Sequence, residues 1–357
     1  SEQAATLNVH SRYLHEGVVN YVERLVGLHH GGIESAILGC SGTEATEMAL
    51  TLARTVTGSR GIICTDATYH GNSSLVGRLT ALPVGVERNG VKSISTPQLF
   101  RPFHDGLSEA ELLQKHLDQL ETTIASFADS GGFAGIMLCS ILANEGLPNP
   151  PARWFAEATA MVADAGGLVI ADEVQAGFAR SGSWWGYETS DFTPDVVCMG
   201  KPMGNGFPLS AMAASHEMVT KFRERHRYFN TFASSPLQAA AGSAVIDEII
   251  ERGLVRQVAE VGTRLKAALT ELQSQHPQMG DVRGTGLFIG IDWVEPGTNN
   301  PDVVGAQRMV ESLKSRFVLL GKAGQHGNVL KIRPPLVFED EHAELFLEAF
   351  RDSLVNA

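Results

Sequence analysis

The sequence has no excess of positive charge and no long apolar run. Its 357 residues include 28 lysines and arginines against 40 aspartates and glutamates, which gives a formal charge of −12. Such a chain has no electrostatic footprint for nucleic acid or for an anionic membrane. No apolar run approaches the roughly 18 residues that a membrane-spanning helix needs. We therefore expect neither a nucleic-acid nor a membrane partner, and any bound phosphate must be held by helix ends, loop amides and single cations.

Cysteine is also scarce. The four cysteines lie far apart in the chain and match no zinc-binding spacing, and three of them fall in apolar, strand-like runs. They are Cys40, Cys64, Cys139 and Cys198. This pattern predicts reduced thiols in a cytoplasmic protein and no metal site.

Several catalytic signatures are absent. Neither Gly-Lys pair has the glycine five residues upstream that a P-loop requires, and there is no G-x-S-x-G or H-E-x-x-H motif. The glycine-rich run 284–286 precedes a predicted strand instead of joining a strand to a helix, which argues against a dinucleotide site.

The pattern of apolar residues predicts an α/β fold. Hydrophobic residues make up 43% of the chain, enough for a large core. Continuous apolar runs at 36–38, 61–65, 134–139, 167–171 and 195–199 are typical of buried strands. Helical periodicity lies between and after them, near 11–28, 43–56, 108–128, 151–165, 235–252 and 255–275. The alternation indicates a mostly parallel sheet flanked by helices.

The length and a change of pattern predict two domains. From Gly286 onwards the order becomes strand, helix, strand, strand, helix, which is typical of a small α+β domain. We place the large domain at 1–255 and the small domain at 256–357. The chain opens with Ser1 and no signal segment, and we expect that further residues precede it in the full protein.

Four segments carry the residues with chemical potential. The run 41–43 lies between a strand and a helix, where amides can bind an anion or a hydroxyl can simply cap the helix. Asp172 ends an apolar strand, the place where α/β proteins bind ligands, although an ordinary ion pair would also fit. Lys201 directly follows another apolar strand among glycines and is a candidate Schiff-base nucleophile. The polar loop 228–236 says little alone.

Together these segments resemble the class III aminotransferases, which have the fold type I of pyridoxal-phosphate (PLP) enzymes. The motif Asp-Glu-Val-Gln at 172–175, about thirty residues before Gly-Lys at 200–201, is specific to such proteins. The resemblance implies a seven-stranded, mostly parallel sheet in the large domain. It implies that Lys201 holds PLP through a Schiff base, that Asp172 pairs with the ring nitrogen, and that Gln175 reaches the ring's phenolic oxygen. The other cofactor-binding positions that it implies are Ser41, Gly42, Thr43, Tyr69, His70, Val174 and Thr231.

The resemblance further implies an aminotransferase that moves an amino group from an amine to a keto acid or aldehyde. Thr231 would reach the cofactor phosphate of a neighbouring chain, so a homodimer with shared sites is expected, with a tetramer left open. The runs 200–206 and 328–332 most resemble a subgroup that contains alanine–glyoxylate aminotransferase 2-like proteins and phospho-lyases. The alternative within this subgroup is a PLP-dependent phospho-lyase on an O-phosphorylated amine, such as phosphoethanolamine or phosphohydroxylysine. A non-catalytic PLP-fold binding module is the alternative of another class.

Substrate binding is where the chain departs from many relatives. Ser140 stands where many of them have a glutamate, and Glu145 matches a second acidic position near the substrate amine. Lys331 stands where many have an arginine that grips a carboxylate, and a lysine cannot offer the same planar fork. Arg333 shares a face with Lys331 only if the strand continues to residue 333. We therefore assign Glu145, Lys331 and Arg333 to the substrate.

Overall fold

The computed structural model describes residues 2–354 and contains two β-sheets with helices packed against them. The larger sheet has seven strands, as the resemblance implied. Its strands are β1 (Ser35–Gly39), β2 (Gly61–Thr65), β3 (Val91–Ile94), β4 (Phe133–Cys139), β5 (Leu168–Asp172), β6 (Val196–Met199) and β7 (Ser210–Ala214).

The larger sheet is mostly parallel. Its strand order is β1-β7-β6-β5-β4-β2-β3, and β7 is the strand that runs antiparallel to both of its neighbours. The strands β2, β4, β5 and β6 are entirely buried, which explains their continuous apolar runs. Their carboxyl ends meet at one edge of the sheet, where ligands bind in α/β proteins.

Helices cover both faces of the larger sheet, and each face has its own apolar core. Serine caps begin several of these helices: the Ser41 hydroxyl, for example, accepts a hydrogen bond from the amide of Glu44. The helices of this part are α1 (Glu16–Val26), α2 (Gly42–Thr57), α3 (Glu109–Ala125), α4 (Trp154–Asp164), α5 (Gly186–Thr189), α6 (His216–Arg225) and α7 (Pro236–Glu251).

The C-terminal part forms a smaller α+β unit, as expected. Its sheet is antiparallel in the order β10-β11-β9-β8 and packs against helices around a separate apolar core. Its elements are α8 (Leu254–Gln273), β8 (Met279–Thr285), β9 (Phe288–Trp293), α9 (Val303–Ser315), β10 (Gly321–Ala323), β11 (Val329–Ile332) and α10 (Asp340–Leu354). The division at residue 255 falls at the start of α8 and stays our proposal.

A buried ion pair lies where the smaller unit meets the larger one. Arg283 of β8 and Asp292 of β9 are both almost fully buried and are joined at 2.8 Å, while the Arg283 Nε donates to the carbonyl of Gly146 after β4 at 3.0 Å. Arg101 of the larger part reaches the same Asp292 at 2.9 Å. The pairing satisfies charges that would be costly to bury alone.

Five elements were not predicted from the sequence: β3, β7, α5, α6 and β8. The strand β7 reads Ser-Ala-Met-Ala-Ala, which has little β propensity and is held as a strand by β1 and β6. The strand β8 contains two glycines and three polar residues, and pairing with β9 imposes its extended form. The smaller sheet therefore begins before Gly286. The first helix also starts later than predicted, after the His15 side chain accepts the amide of Gly17.

Across residues 2–354, the helices are all too short or too polar to cross a bilayer. Cys64, Cys139 and Cys198 are buried free thiols, and Cys40 is half-buried and also free. The buried positions agree with the prediction of reduced core cysteines.

Candidate active site

Asp172 and Lys201 lie at the carboxyl ends of neighbouring strands. Strands β5 and β6 run parallel, and Asp172 is in register with Cys198, three residues before Lys201. The parallel register places both side chains at the same edge of the sheet, as the sequence predicted. The arrangement puts a carboxylate and an amine at the position where open α/β sheets bind their ligands.

Asp172 is almost fully buried and accepts hydrogen bonds on both carboxylate oxygens. Its Oδ2 lies 2.6 Å from Nδ1 of His70, and its Oδ1 accepts the amide of Val174 at 2.9 Å. His70 is itself only 4% exposed, and its Nε2 lies 2.9 Å from the hydroxyl of Thr68. His70 therefore lies behind Asp172, where it fixes the plane of the carboxylate.

Lys201 is exposed, and its side chain makes no hydrogen bond or ion pair with any residue in the range 2–354. Desolvation by the surrounding protein lowers the pKa of Lys201, and the positive charge of Arg333 lowers it further, against the opposing effect of Asp172. An unpartnered amine with a lowered pKa has a larger neutral fraction, the form that acts as nucleophile and base.

The amino end of α2 points its free amides towards these two strand ends. The amides of Gly42 and Thr43 precede the first intrahelical bond, and neither has an acceptor within the described part of the chain. A Cβ on Gly42 would lie 2.9 Å from Val174, and one on Gly200 would lie 3.3 Å from the Cα of Gly42. Two glycines thus let the positive end of the helix approach β5 and β6 closely, which makes an anion site.

The loop after β2 supplies an aromatic ring next to this helix end. Tyr69 is 44% exposed, and the next residue along is the buried His70. Gly71 has a φ of +144°, and a Cβ there would lie 2.6 Å from the Thr43 hydroxyl. This close contact requires glycine and holds the Tyr69 loop against the amino end of α2.

Gln175, Lys331 and Arg333 meet at one oxygen atom. The Gln175 Oε1 accepts from the Lys331 Nζ at 3.3 Å and from the Arg333 Nη1 at 3.0 Å. Strand β11 ends at Ile332, yet both side chains reach the same acceptor. No carboxylate in the range 2–354 forms an ion pair with either cation. Two positive charges therefore face one neutral oxygen.

Lys331 is the more perturbed of the two cations. Burial, followed by the charge of Arg333, lowers the pKa of Lys331 to about 8, against the opposing effects of Cys139 and Glu145. The amine also lies over the ring of Phe288 at 5.1 Å, a cation–π contact. Lys331 is therefore a cation whose charge is lost just above neutral pH.

Glu145 is buried beside this cluster, with both oxygens bonded within the protein. Its Oε1 accepts the Thr65 hydroxyl at 2.6 Å, and its Oε2 accepts the amide of Asn144 at 3.0 Å. Ser140, at the position where many relatives have a glutamate, donates its hydroxyl to the buried Glu173 at 2.5 Å. The end of β4 therefore carries a hydroxyl bonded to a buried carboxylate, where many relatives carry a second acid.

Thr231 does not join the other predicted residues within one chain. It lies in an exposed loop and lines a separate cavity with Phe207, Phe232 and Gln238, of about 660 Å³. The aromatic side chain of Phe232 is 77% exposed next to it. A role for Thr231 at the cofactor would need a second chain.

Two residues of the site were given no role from the sequence. Asn144 lies between the Tyr69 loop and Gln175, and Glu173 binds the amides of Gly186 and Tyr187 at 2.8 and 2.9 Å. Burial raises the pKa of Glu173 to about 7, although these hydrogen bonds favour its charged form. A polar residue directly after Asp172 on a buried strand was the available signal for Glu173.

Comparison with known families gives one match along the chain. A sequence model of the family described as aminotransferase class-III matches residues 1–354. A protein of Arabidopsis thaliana named alanine–glyoxylate aminotransferase 2 homolog 2, mitochondrial, is 34% identical over 346 residues, covering 96% of this chain and 71% of that protein. A protein of Caenorhabditis elegans named ethanolamine-phosphate phospho-lyase homolog 1 is 32% identical over 364 residues, covering 96% of this chain and 77% of that protein.

Solved structures show the same architecture. A phospholyase from Arthrobacter in complex with phosphoethanolamine superimposes with a TM-score of 0.95 at 36% identity, covering all of this chain and 85% of that one. A transaminase with L-alanine superimposes with a TM-score of 0.91 at 25% identity, covering 99% and 88%. The fold is that of the type I PLP-dependent enzymes, as the sequence motifs implied.

Proposed function

The chain belongs to the class III aminotransferases, enzymes that use PLP to move an amino group between an amine and a carbonyl compound, and we propose that Lys201 is the residue that holds this cofactor. The observation that supports this assignment is the unpartnered amine of Lys201, one strand away from the buried carboxylate of Asp172. An amine left free beside a fixed carboxylate suits covalent attachment of an aldehyde.

The residues around Lys201 fit the phosphate and ring of PLP. The free amides of Gly42 and Thr43 and the positive end of α2 suit the phosphate, and the buried Asp172 suits a protonated ring nitrogen. The exposed ring of Tyr69 suits stacking on the pyridine face. The remaining cofactor positions that we propose are Ser41, His70, Val174, Gln175 and, from a second chain, Thr231.

The chain's own residues account for the proton transfers of the reaction. When bound, PLP supplies an electron sink for the pair left at the substrate's Cα. Lys201 takes the Cα proton as general base, a role favoured by its lowered pKa. His70 and the Val174 amide hold Asp172 in place, and the negative charge of its carboxylate would favour the protonated form of the PLP ring nitrogen.

Lys331 and Arg333 favour a substrate with an anionic group. Both cations face the neutral Gln175 oxygen, so an incoming anion would compensate charges that the protein leaves unpaired. Glu145 lies close enough to affect the pKa of Lys331 and suits the amine side of the substrate, as the resemblance implied. Purely cationic amines such as polyamines would be disfavoured by the same two charges.

Amino transfer is tested with a panel of amines and a keto-acid acceptor. The wild-type protein, loaded with PLP, should convert an amine with an anionic group to its carbonyl and the keto acid to the amino acid in equal amounts. Lys201→Ala should abolish both products, while Lys322→Ala, which changes a lysine in β10, should not. Consumption of more than one equivalent of amine per site without the acceptor would refute aminotransfer.

A phospho-lyase is the second candidate, because two cations beside one neutral acceptor suit a dianionic phosphate better than a planar carboxylate. In that reaction the proton leaves Cα and phosphate leaves Cβ, and water then releases a carbonyl and ammonia. Two similar proteins are named as phospho-lyases. Release of inorganic phosphate from phosphoethanolamine without any keto acid would establish it. Keto-acid-dependent turnover without phosphate release would exclude it. A non-catalytic module is not retained, since the family is one of enzymes.

We also propose a homodimer with shared sites, in which Thr231 faces the partner's cofactor. The exposed apolar side chains near the Thr231 loop, including Phe229, Phe232 and Leu14, support a buried surface there. Mixing inactive Lys201→Ala with Thr231→Tyr should regain activity if chains exchange, because one hybrid site is then intact. No recovery after verified exchange would refute the shared site.

The four free thiols suit the cytoplasm, our proposed location, although relatives have mitochondrial in their names.

A further inference from the structure

The segment 144–146, which follows β4 in the larger part of the chain, contacts the smaller part. Two residues of the smaller part donate hydrogen bonds to its backbone carbonyls. The amide of Gly324 donates to the carbonyl of Asn144 at 2.9 Å, and the Arg283 Nε donates to the carbonyl of Gly146 at 3.0 Å. Gly146 has a φ of +101°, and a Cβ there would lie 2.9 Å from Val329. The position of Asn144 is therefore fixed by its own backbone.

The side chain of Asn144 faces the opposite way, into the candidate active site. Its Nδ2 donates to the carbonyl of Tyr69 at 3.0 Å, and its Oδ1 accepts from the Gln175 Nε2 at 3.2 Å. One amide thus holds both the loop with the exposed aromatic ring and the last residue of the 172–175 motif. The donor to Tyr69 also fixes which end of the Asn144 amide faces Gln175, because a carbonyl accepts and cannot donate.

The direction of the Gln175 amide matters for the two cations. Its Oε1 accepts from Lys331 and Arg333, and these bonds hold two like charges on one oxygen. If the amide turned round, its NH2 group would face both cations and offer them no acceptor. Asn144 opposes this turn, because its Oδ1 accepts from the Gln175 NH2 group and would face the Gln175 oxygen if the amide turned.

We propose that Asn144 is a positioning residue for substrate binding: by orienting Gln175, it keeps Lys331 and Arg333 converged on a neutral oxygen and open to an anionic group. This inference rests on the proposed function in that the anion is taken to belong to the substrate. It assigns a task to a residue that touches neither the cations nor Lys201 through a hydrogen bond.

A double-mutant cycle separates this task from simple support of the Tyr69 loop. Asn144→Leu removes both amide contacts at similar size, and Gln175→Leu removes the oxygen that the cations share. If Asn144 acts through Gln175, the double variant should be no worse than Gln175→Leu alone. If it acts through the Tyr69 loop, the two effects should multiply. Asn149→Leu is the matched control, since the exposed Asn149 side chain makes no hydrogen bond within residues 2–354.

The first readout is the affinity of the PLP-loaded protein for inorganic phosphate, which isothermal titration calorimetry measures. Wild type and Asn149→Leu should bind equally, and Asn144→Leu, Gln175→Leu and the double variant should each bind about tenfold more weakly. Unchanged affinity in Asn144→Leu, multiplied losses in the double variant, or no binding by wild type would each overturn the proposal. Thermal unfolding of every variant checks that the fold is intact.

The second readout is steady-state kinetics with an amine that carries an anionic group. Asn144→Leu should raise KM about tenfold and leave kcat within about threefold, because the catalytic lysine is untouched. A fall in kcat with unchanged KM would overturn the positioning role. If wild type turned over no amine at all, the proposed function would fail, while the phosphate titration would still decide the role of Asn144.

Discussion

The charge of Lys331 should control binding of anionic substrates near neutral pH. Burial and the neighbouring Arg333 lower the pKa of Lys331 to about 8, so the amine is charged below that pH and neutral above it. Loss of the charge removes one of two cations that face the Gln175 oxygen. A hydrogen bond to a charged group contributes about 1.5–3 kcal/mol, which corresponds to about 10- to 100-fold in affinity.

The pH dependence of kcat/KM measures this titration in the free enzyme. For a group with a pKa of about 8, the charged fraction falls roughly tenfold between pH 7 and pH 9, and kcat/KM for an anionic amine should fall by about the same factor. The reference is the same pH profile for an amine of similar size that carries no anionic group. The ratio of the two profiles cancels every titration that both substrates share, including that of Lys201.

Two variants at the same position complete the experiment. Lys331→Arg keeps its charge throughout this pH range, so the ratio of the profiles should become flat. Lys331→Met should give a flat ratio as well, but about 10- to 100-fold lower at pH 7. An inflection near pH 8 that persists in Lys331→Arg, or that appears equally with the neutral amine, would refute the assignment of Lys331 to the anion.

Three further substitutions test the cofactor site and the contact between the two units. Asp172→Asn should leave PLP bound but slow the first half-reaction, in which the amine becomes its carbonyl, about 10³-fold in stopped-flow absorbance. A decrease in rate of less than tenfold would contradict the role of Asp172. Gly42→Val should weaken PLP binding at least about tenfold in a fluorescence titration, because its side chain would collide with Val174, whereas Gly58→Asn at the open end of α2 should not. Arg283→Met should cost about 1.5–3 kcal/mol in urea unfolding, because buried Asp292 loses one charged partner and keeps Arg101, against less than about 1 kcal/mol for the exposed Arg264→Met.

The strand ends that carry Asp172 and Lys201 could be predicted because buried parallel strands leave continuous apolar runs. Strands β5 and β6 are fully buried, and a charged residue directly after such a run is visible without any alignment. The family resemblance then added roles that spacing alone could not give. The predicted pairing of Asp172 with a ring nitrogen is one of these.

Elements that depend on their neighbours could not be predicted. Strand β7 is rich in alanine, which favours helix, and it is extended because β1 and β6 pair with it on both sides. Strand β8 is held by β9 in the same way. The pattern contained no apolar alternation that would reveal either strand.

The convergence of Lys331 and Arg333 on Gln175 was also beyond the sequence. Strand alternation would have placed both cations on one face only if the strand continued, and β11 ends at Ile332. The two side chains are 156 and 158 positions from their shared acceptor. Such contacts follow from the packing of the smaller unit on the larger one.

Reductive trapping shows which lysine holds PLP, and we expect that lysine to be Lys201. The protein is incubated with PLP, reduced with borohydride, digested and mapped by mass spectrometry. We expect one reduced pyridoxyl group on the peptide that contains Lys201 and none in Lys201→Ala. Lys331 provides an internal competitor, since its lowered pKa also favours a neutral amine. A label on Lys331 or another lysine in the wild type, or an undiminished label in Lys201→Ala, would show that Lys201 does not hold the cofactor.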